Sequence, residues 1–112
     1  MPISHLPADS APEDVAALIS EHGAVIVDHV APQDLLDQIE VDLAPYLEAT
    51  PTGPDDFSGQ HTRRSGALIA RSEACRELVT HPLAIGTTKV FLGHASNFQL
   101  HLTQAIALPA WL

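Results

Sequence analysis

The spacing of apolar and polar side chains divides the chain into helices, one short strand and one long alternating strand. Val15, Leu18 and Ile19 fall on one face of a helix that opens at Ser10, with Pro12 in its first turn and Glu13 three residues after the serine. That spacing predicts a capping box, in which a serine oxygen takes a free backbone amide and the acid suits the positive end of the helix. Gly23, just after His22, stands where a helix closes in a left-handed turn. Ala24-Val25-Ile26-Val27 is a short run rich in β-branched residues and predicts a buried strand. Ala31-Pro32 opens a second helix whose apolar stripe is Leu36, Ile39, Leu43, Tyr46 and Leu47. Pro45 has no amide proton for the Val41 carbonyl, so this helix is expected to kink or stop near Ala44.

Residues 50–61 carry two prolines, two glycines and the adjacent pair Asp55-Asp56, and read as a loop. Ser72 follows as the cap of a short helix bearing Cys75, Leu78 and Val79, closed by His81-Pro82. A further helix is expected over 83–92 with Gly93 behind it, although Thr87 and Thr88 lose side-chain freedom there. From Asn97 the pattern changes period. One parity reads Phe98, Leu100, Leu102, Gln104, Ile106, Leu108, and the other Asn97, Gln99, His101, Thr103, Ala105, Ala107. Alternation over these positions predicts a long strand, 97–108, with one apolar and one polar face. Such a strand needs neighbours, and one earlier strand is too few for an independent sheet.

Composition then narrows the class. At 112 residues the chain is one domain or part of one, with 14 acidic and 5 basic residues and a net charge of −9. The charge is unevenly placed: residues 1–56 hold 12 Asp/Glu and neither Lys nor Arg, whereas residues 57–112 hold two acids and five bases. The organisation read from this is an acidic helical half over 1–49, the loop 50–61, and a basic half with the long strand over 62–108. So acidic a chain argues against nucleic-acid binding, which needs a basic stripe for phosphates. The lone Cys75 excludes a disulfide framework and suits a reducing compartment. No signal sequence or membrane-length apolar run is visible, so the expectation is a soluble cytoplasmic protein away from membranes.

Candidate chemistry is sparse. None of the seven histidines (5, 22, 29, 61, 81, 94 and 101) has an acid two residues on, and no His-x3-His or Cys-x2-Cys occurs, so no metal ligand set is assigned. Cys75, on the apolar side of its helix, reads as a buried structural thiol. No nucleophile elbow or phosphate-binding glycine loop is present, so no catalytic residue is assigned either. Arg63-Arg64 could hold a carboxylate or phosphate, or else pair with the acidic half. Asn97, Gln99, His101 and Thr103 could line a pocket, or else face solvent.

Taken together, several stretches resemble one family. Glu21-His22-Gly23-Ala24-Val25-Ile26-Val27, the Leu35-Leu36 and Ile39 helix, Thr62-Arg63-Arg64-Ser65-Gly66-Ala67-Leu68-Ile69-Ala70-Arg71-Ser72, His81-Pro82-Leu83 and Asn97-Phe98-Gln99-Leu100-His101-Leu102-Thr103-Gln104 are similar to phytanoyl-CoA dioxygenase-like proteins, which are iron(II)/2-oxoglutarate-dependent oxygenases. The resemblance spans nearly all of residues 12–107. It implies an α+β chain in which N-terminal helices precede the first strands of a double-stranded β-helix (jelly roll). It also implies a small-molecule substrate, with Gln99, His101 and Thr103 toward the cosubstrate and Arg63 and Arg64 near substrate. The family's iron-binding His-x-Asp should follow the 97–108 strand, but the sequence reads Ala107-Leu108-Pro109-Ala110-Trp111-Leu112. The expectation is therefore an N-terminal fragment, inactive alone and able to self-associate through an unpaired strand. The competing expectation is a non-catalytic acidic interaction module that pairs its edge strand with a partner.

Overall fold

A computed structural model describes residues 2–53 and 60–108; part of the predicted loop and the last four residues lie outside it. The chain is α+β, and it divides into two compact units.

The first unit comprises Met1–Gln33 and Glu77–Gln99. Strands β1 (His5–Pro7) and β2 (Ile26–Asp28) pair in parallel, with His5 opposite Ile26 and Pro7 opposite Asp28. Parallel neighbours need a crossover, and helix α1 (Pro12–His22) supplies it. The expected cap is corrected here: Ala11, with no side-chain bond, precedes α1. Ser10 instead donates its hydroxyl to the Pro7 carbonyl at 2.7 Å, since a serine beside a turn can bond a backbone carbonyl there rather than accept from a helix amide. Gly23 does close α1, at φ +83°, with its amide donating to the Ile19 carbonyl at 2.7 Å. The expected buried strand is displaced to 26–28 and is only part-buried, with Ile26 41% exposed.

Helix α5 (Pro82–Phe91) packs on α1 and contributes Leu83 to a core with Val15 and Ala16. Pro at the first helical position suits α5, since its missing amide has no partner there, and His81 Nδ1 accepts from the Leu83 amide at 3.0 Å. Gly86 lets the helices meet: a Cβ there would lie 2.8 Å from Cγ of Pro12. Thr88 is carried by donating its hydroxyl back to the Ala84 carbonyl at 2.8 Å.

The second unit comprises Asp34–Arg76 and Leu100–Leu112, so the division falls within helix α4 (Glu73–Val79). Helix α2 (Gln33–Ala49) continues past Pro45, so the expected stop near Ala44 is not found. Val41, whose carbonyl loses its partner, is 67% exposed, so water can take that bond while buried Leu43 holds the helix to its core. After the loop come β3 (Arg63–Gly66) and the one-turn helix α3 (Leu68–Arg71), and β4 (Gln104–Ala107) returns antiparallel to β3.

The long strand expected over 97–108 shrinks to these four residues. Its partner β3 is four residues long, and pairing ends at Gly66 opposite Gln104, so the ladder has nothing to extend along. The faces are also reversed. Leu100 (55%), Leu102 (62%), Ile106 (54%) and Leu108 (62%) are exposed, whereas Thr103, Ala105 and Ala107 are half-buried. The core of this unit is Leu43, Ala74 and Cys75 beside the buried polar Thr62, Ser65 and Ser72.

Candidate functional site

The predicted polar positions lead to a shallow pocket of about 470 Å³ at the end of the β3–β4 ladder, lined by Gly66, Ala67, Gln104 and the 100–103 segment. Its frame is set by backbone geometry. Gly66 ends β3, and a Cβ there would meet the Thr103 carbonyl at 3.6 Å, so the two chains run side by side. Ala67 then turns at φ +54°, a left-handed conformation that costs a non-glycine residue about 1 kcal/mol or more. The turn aims the Leu68 amide at Thr103, whose Oγ1 accepts it at 2.9 Å. Thr103 therefore has a structural task, feeding an acceptor to the otherwise uncapped first turn of α3.

Of the residues assigned from sequence, His101 and Thr103 line this pocket and Gln99 does not. Gln99 and His101 are exposed. Arg63 and Arg64 are also exposed, and adjacent strand positions project to opposite faces. They cannot grip one anion as a pair, and neither lines the pocket. Arg64 shares its face with Ile106, its cross-strand partner, while Arg63 shares the face of buried Ser65.

A polar network beneath the pocket's strands explains more of the local order. Arg71, in α3, donates to Ser65 Oγ at 2.5 Å and lies 4.4 Å from the ring centroid of Tyr46, a cation–π contact. Ser72 donates to Asp42 at 2.7 Å while its oxygen accepts from the Cys75 amide at 3.1 Å, so the predicted cap of α4 is present. Hydrogen bonds from Ser72 and then from Gln38 hold the Asp42 carboxyl below the usual carboxylate range, against a small opposing effect of burial. Cys75 is buried, as expected of a structural thiol.

One constellation was not legible in the sequence. His5 Nδ1 lies 2.9 Å and 3.1 Å from the two carboxylate oxygens of Asp28, in a pocket of about 580 Å³ that also takes in Asp9 and His29. The pair is 23 residues apart and is brought together by β1–β2 pairing, so no local spacing could signal it. The carboxylate can orient the imidazole and leave Nε2 free as an acceptor. Among the described residues, however, no three His, Cys, Asp or Glu side chains are placed to hold a metal ion. No described helix is long and apolar enough to cross a membrane.

No family model matches the chain. It is similar to the dioxygenase swnH2 of Arthroderma benhamiae, 28% identical over 79 residues, covering 69% of this chain and 25% of that protein. It is also similar to the dioxygenase olcK of Penicillium canescens, 32% identical over 78 residues, covering 62% of this chain and 26% of that protein. The chain thus spans about a quarter of the length of the curated relatives it matches, and over that stretch it is dioxygenase-like.

Proposed function

We propose that this chain forms the N-terminal part of an iron(II)/2-oxoglutarate-dependent hydroxylase of the phytanoyl-CoA dioxygenase type, acting on a small molecule. The observation that carries the reading is the similarity to two dioxygenases over more than 60% of the chain. The described residues do not fit iron, since no three potential ligands converge. No histidine in the sequence has an acid two residues on, either. No step of an oxidation is therefore assigned to these residues, and the 112-residue chain alone is read as inactive. Its own contribution is scaffolding, with His101 and Thr103, and Gln99 before them, toward the cosubstrate side, and one of Arg63 and Arg64, which face apart in β3, toward substrate.

The test is to read the coding sequence for some 200 codons beyond Leu112 in all three frames, then to express the lengthened chain. A downstream His-x-Asp with a distal His and Arg, together with succinate release from 2-oxoglutarate by the lengthened protein, is the expected result. Absence of those ligands in every frame overturns the reading.

A second reading rests on the exposed apolar side chains at and before β4: a non-catalytic module that docks a partner strand there.

A further inference from the structure

The first turn of α5 depends on a single imidazole. Pro82, in the first helical position, brings no amide, so Leu83 carries the first free N–H of the helix. Leu83 is buried, where water has little access to that group. Its acceptor is Nδ1 of His81, at 3.0 Å. The usual capping residues, Ser, Thr, Asn and Asp, accept such a bond throughout the neutral range. A histidine accepts through Nδ1 only as the neutral Nε2–H tautomer, and histidine is the side chain that gains a proton just below neutrality. Beside the cap, a cleft of about 230 Å³ is lined by Asp9 and Ser10, ahead of α1, and by His81, Pro82 and Leu83. Asp9 is the one acid lining that cleft; Glu77 precedes His81 on α4, and Lys89 stands in the last turn of α5. Among the described residues, no acid pairs with His81.

We infer that His81 is a proton-operated cap: neutral, it closes the first turn of α5 on the Leu83 amide; protonated, it releases that amide and turns toward Asp9. The incoming proton and the amide hydrogen compete for one lone pair, that of Nδ1, so both cannot be held at once. An imidazolium at this place also meets the positive end of the helix, which disfavours a cation there. Asp9 offers the charged ring a carboxylate in the same cleft. The cap is therefore closed above the ordinary histidine range, about pH 6–7, and opens as pH falls below it. The opening reaches further than a helix end, because Leu83 shares a core with Val15 and Ala16 of α1. Releasing its amide loosens the contact between α1 and α5. The inference is independent of both readings of function above.

Nitrogen-15 NMR of the histidine rings, with amide hydrogen exchange of the 112-residue chain, tests it between about pH 7.5 and about pH 5.5, a span in which ordinary carboxylates stay charged. The expected result is the Nε2–H tautomer of His81 at the upper end. On acidification the protection factor of the Leu83 amide, corrected for the intrinsic pH dependence of exchange, should fall at least fivefold. His81→Asn keeps an acceptor that does not titrate and should hold that factor constant across the span. Asp9→Asn should leave the cap closed at the upper end and move the midpoint of opening to lower pH, because the charged ring loses its carboxylate. An Nδ1–H tautomer at the upper end, or a Leu83 factor that does not change in the parent, overturns the inference. An equal fall in His81→Asn assigns the response to another histidine and overturns it too. A midpoint unmoved in Asp9→Asn overturns the turn toward Asp9. Should His81→Asn fail to fold, the tautomer and the exchange of the parent chain decide the matter by themselves.

Discussion

Ser72 Oγ donates to Oδ2 of Asp42, 30 residues earlier in the chain, at 2.7 Å while accepting from the Cys75 amide. One hydroxyl thus caps α4 and ties it to α2. Replacing Ser72 by Ala should cost about 1–2 kcal/mol, the usual range for losing such a cap, read as a shift of the urea midpoint. The same variant should return the Asp42 carboxyl upward to the ordinary range, which a carboxyl NMR titration reports.

The depressed Asp42 pKa has a definite sign in acid. A carboxyl whose folded pKa lies below its unfolded one stabilises the fold at all pH values above the unfolded pKa, and that contribution fades as pH falls through the folded one. Asp42→Asn should therefore be less stable than the parent near neutrality. The difference should shrink from about pH 4 downward. Parallel urea melts at pH 7 and pH 3 check it, and a difference that widens in acid would contradict the assignment.

Gly86 and Gly23 should respond to alanine for different reasons. At Gly86 the new methyl would sit 2.8 Å from Cγ and 3.2 Å from Cβ of the Pro12 ring. Overpacking of about 1–3 kcal/mol should outweigh the roughly 1 kcal/mol gained in helix propensity, and α1 and α5 should loosen together in hydrogen exchange. At Gly23 nothing lies within 4 Å, so the penalty is the left-handed backbone alone, about 1 kcal/mol. Thermal melts of both variants separate the steric case from the conformational one.

Thr103→Val keeps the shape and removes the acceptor for the Leu68 amide. A loss of about 1 kcal/mol and faster exchange of that one amide are expected, with Thr103→Ser close to the parent.

Buried Cys75 should resist a thiol reagent in the folded chain and react once in urea, with the rate following the fraction unfolded.

What could be read from the sequence was local chemistry. Ser72 before a helix and Gly23 after one each satisfy backbone groups within four residues, so the neighbours alone decide them. The misreadings at Ser10 and in the strands come from a competing partner on the other side of the residue or from a strand neighbour of finite length. Ser10 had the Pro7 carbonyl to bond instead of a helix amide. β1 has too little pattern in His5-Leu6-Pro7 to announce itself, and exists because β2 lies beside it. The alternation over 97–108 was real in sequence, but a strand is only as long as its neighbour, and β3 offers four residues. Within the candidate site, residue types were legible and directions were not: Arg63 and Arg64 are neighbours in sequence and face apart in the strand.

Neither unit is a continuous stretch of chain. The first is closed by residues 77–99 after an interruption of 43 residues (34–76), and the second by residues 100–112 after an interruption of 23 (77–99). On a ribosome, β3 must therefore wait, unpaired, until residues 104–107 have emerged from the exit tunnel. No single cut yields either unit whole. Truncation from the C-terminal side removes β4 first and leaves β3 without its strand partner, so shortened forms should meet cellular proteases with that edge open.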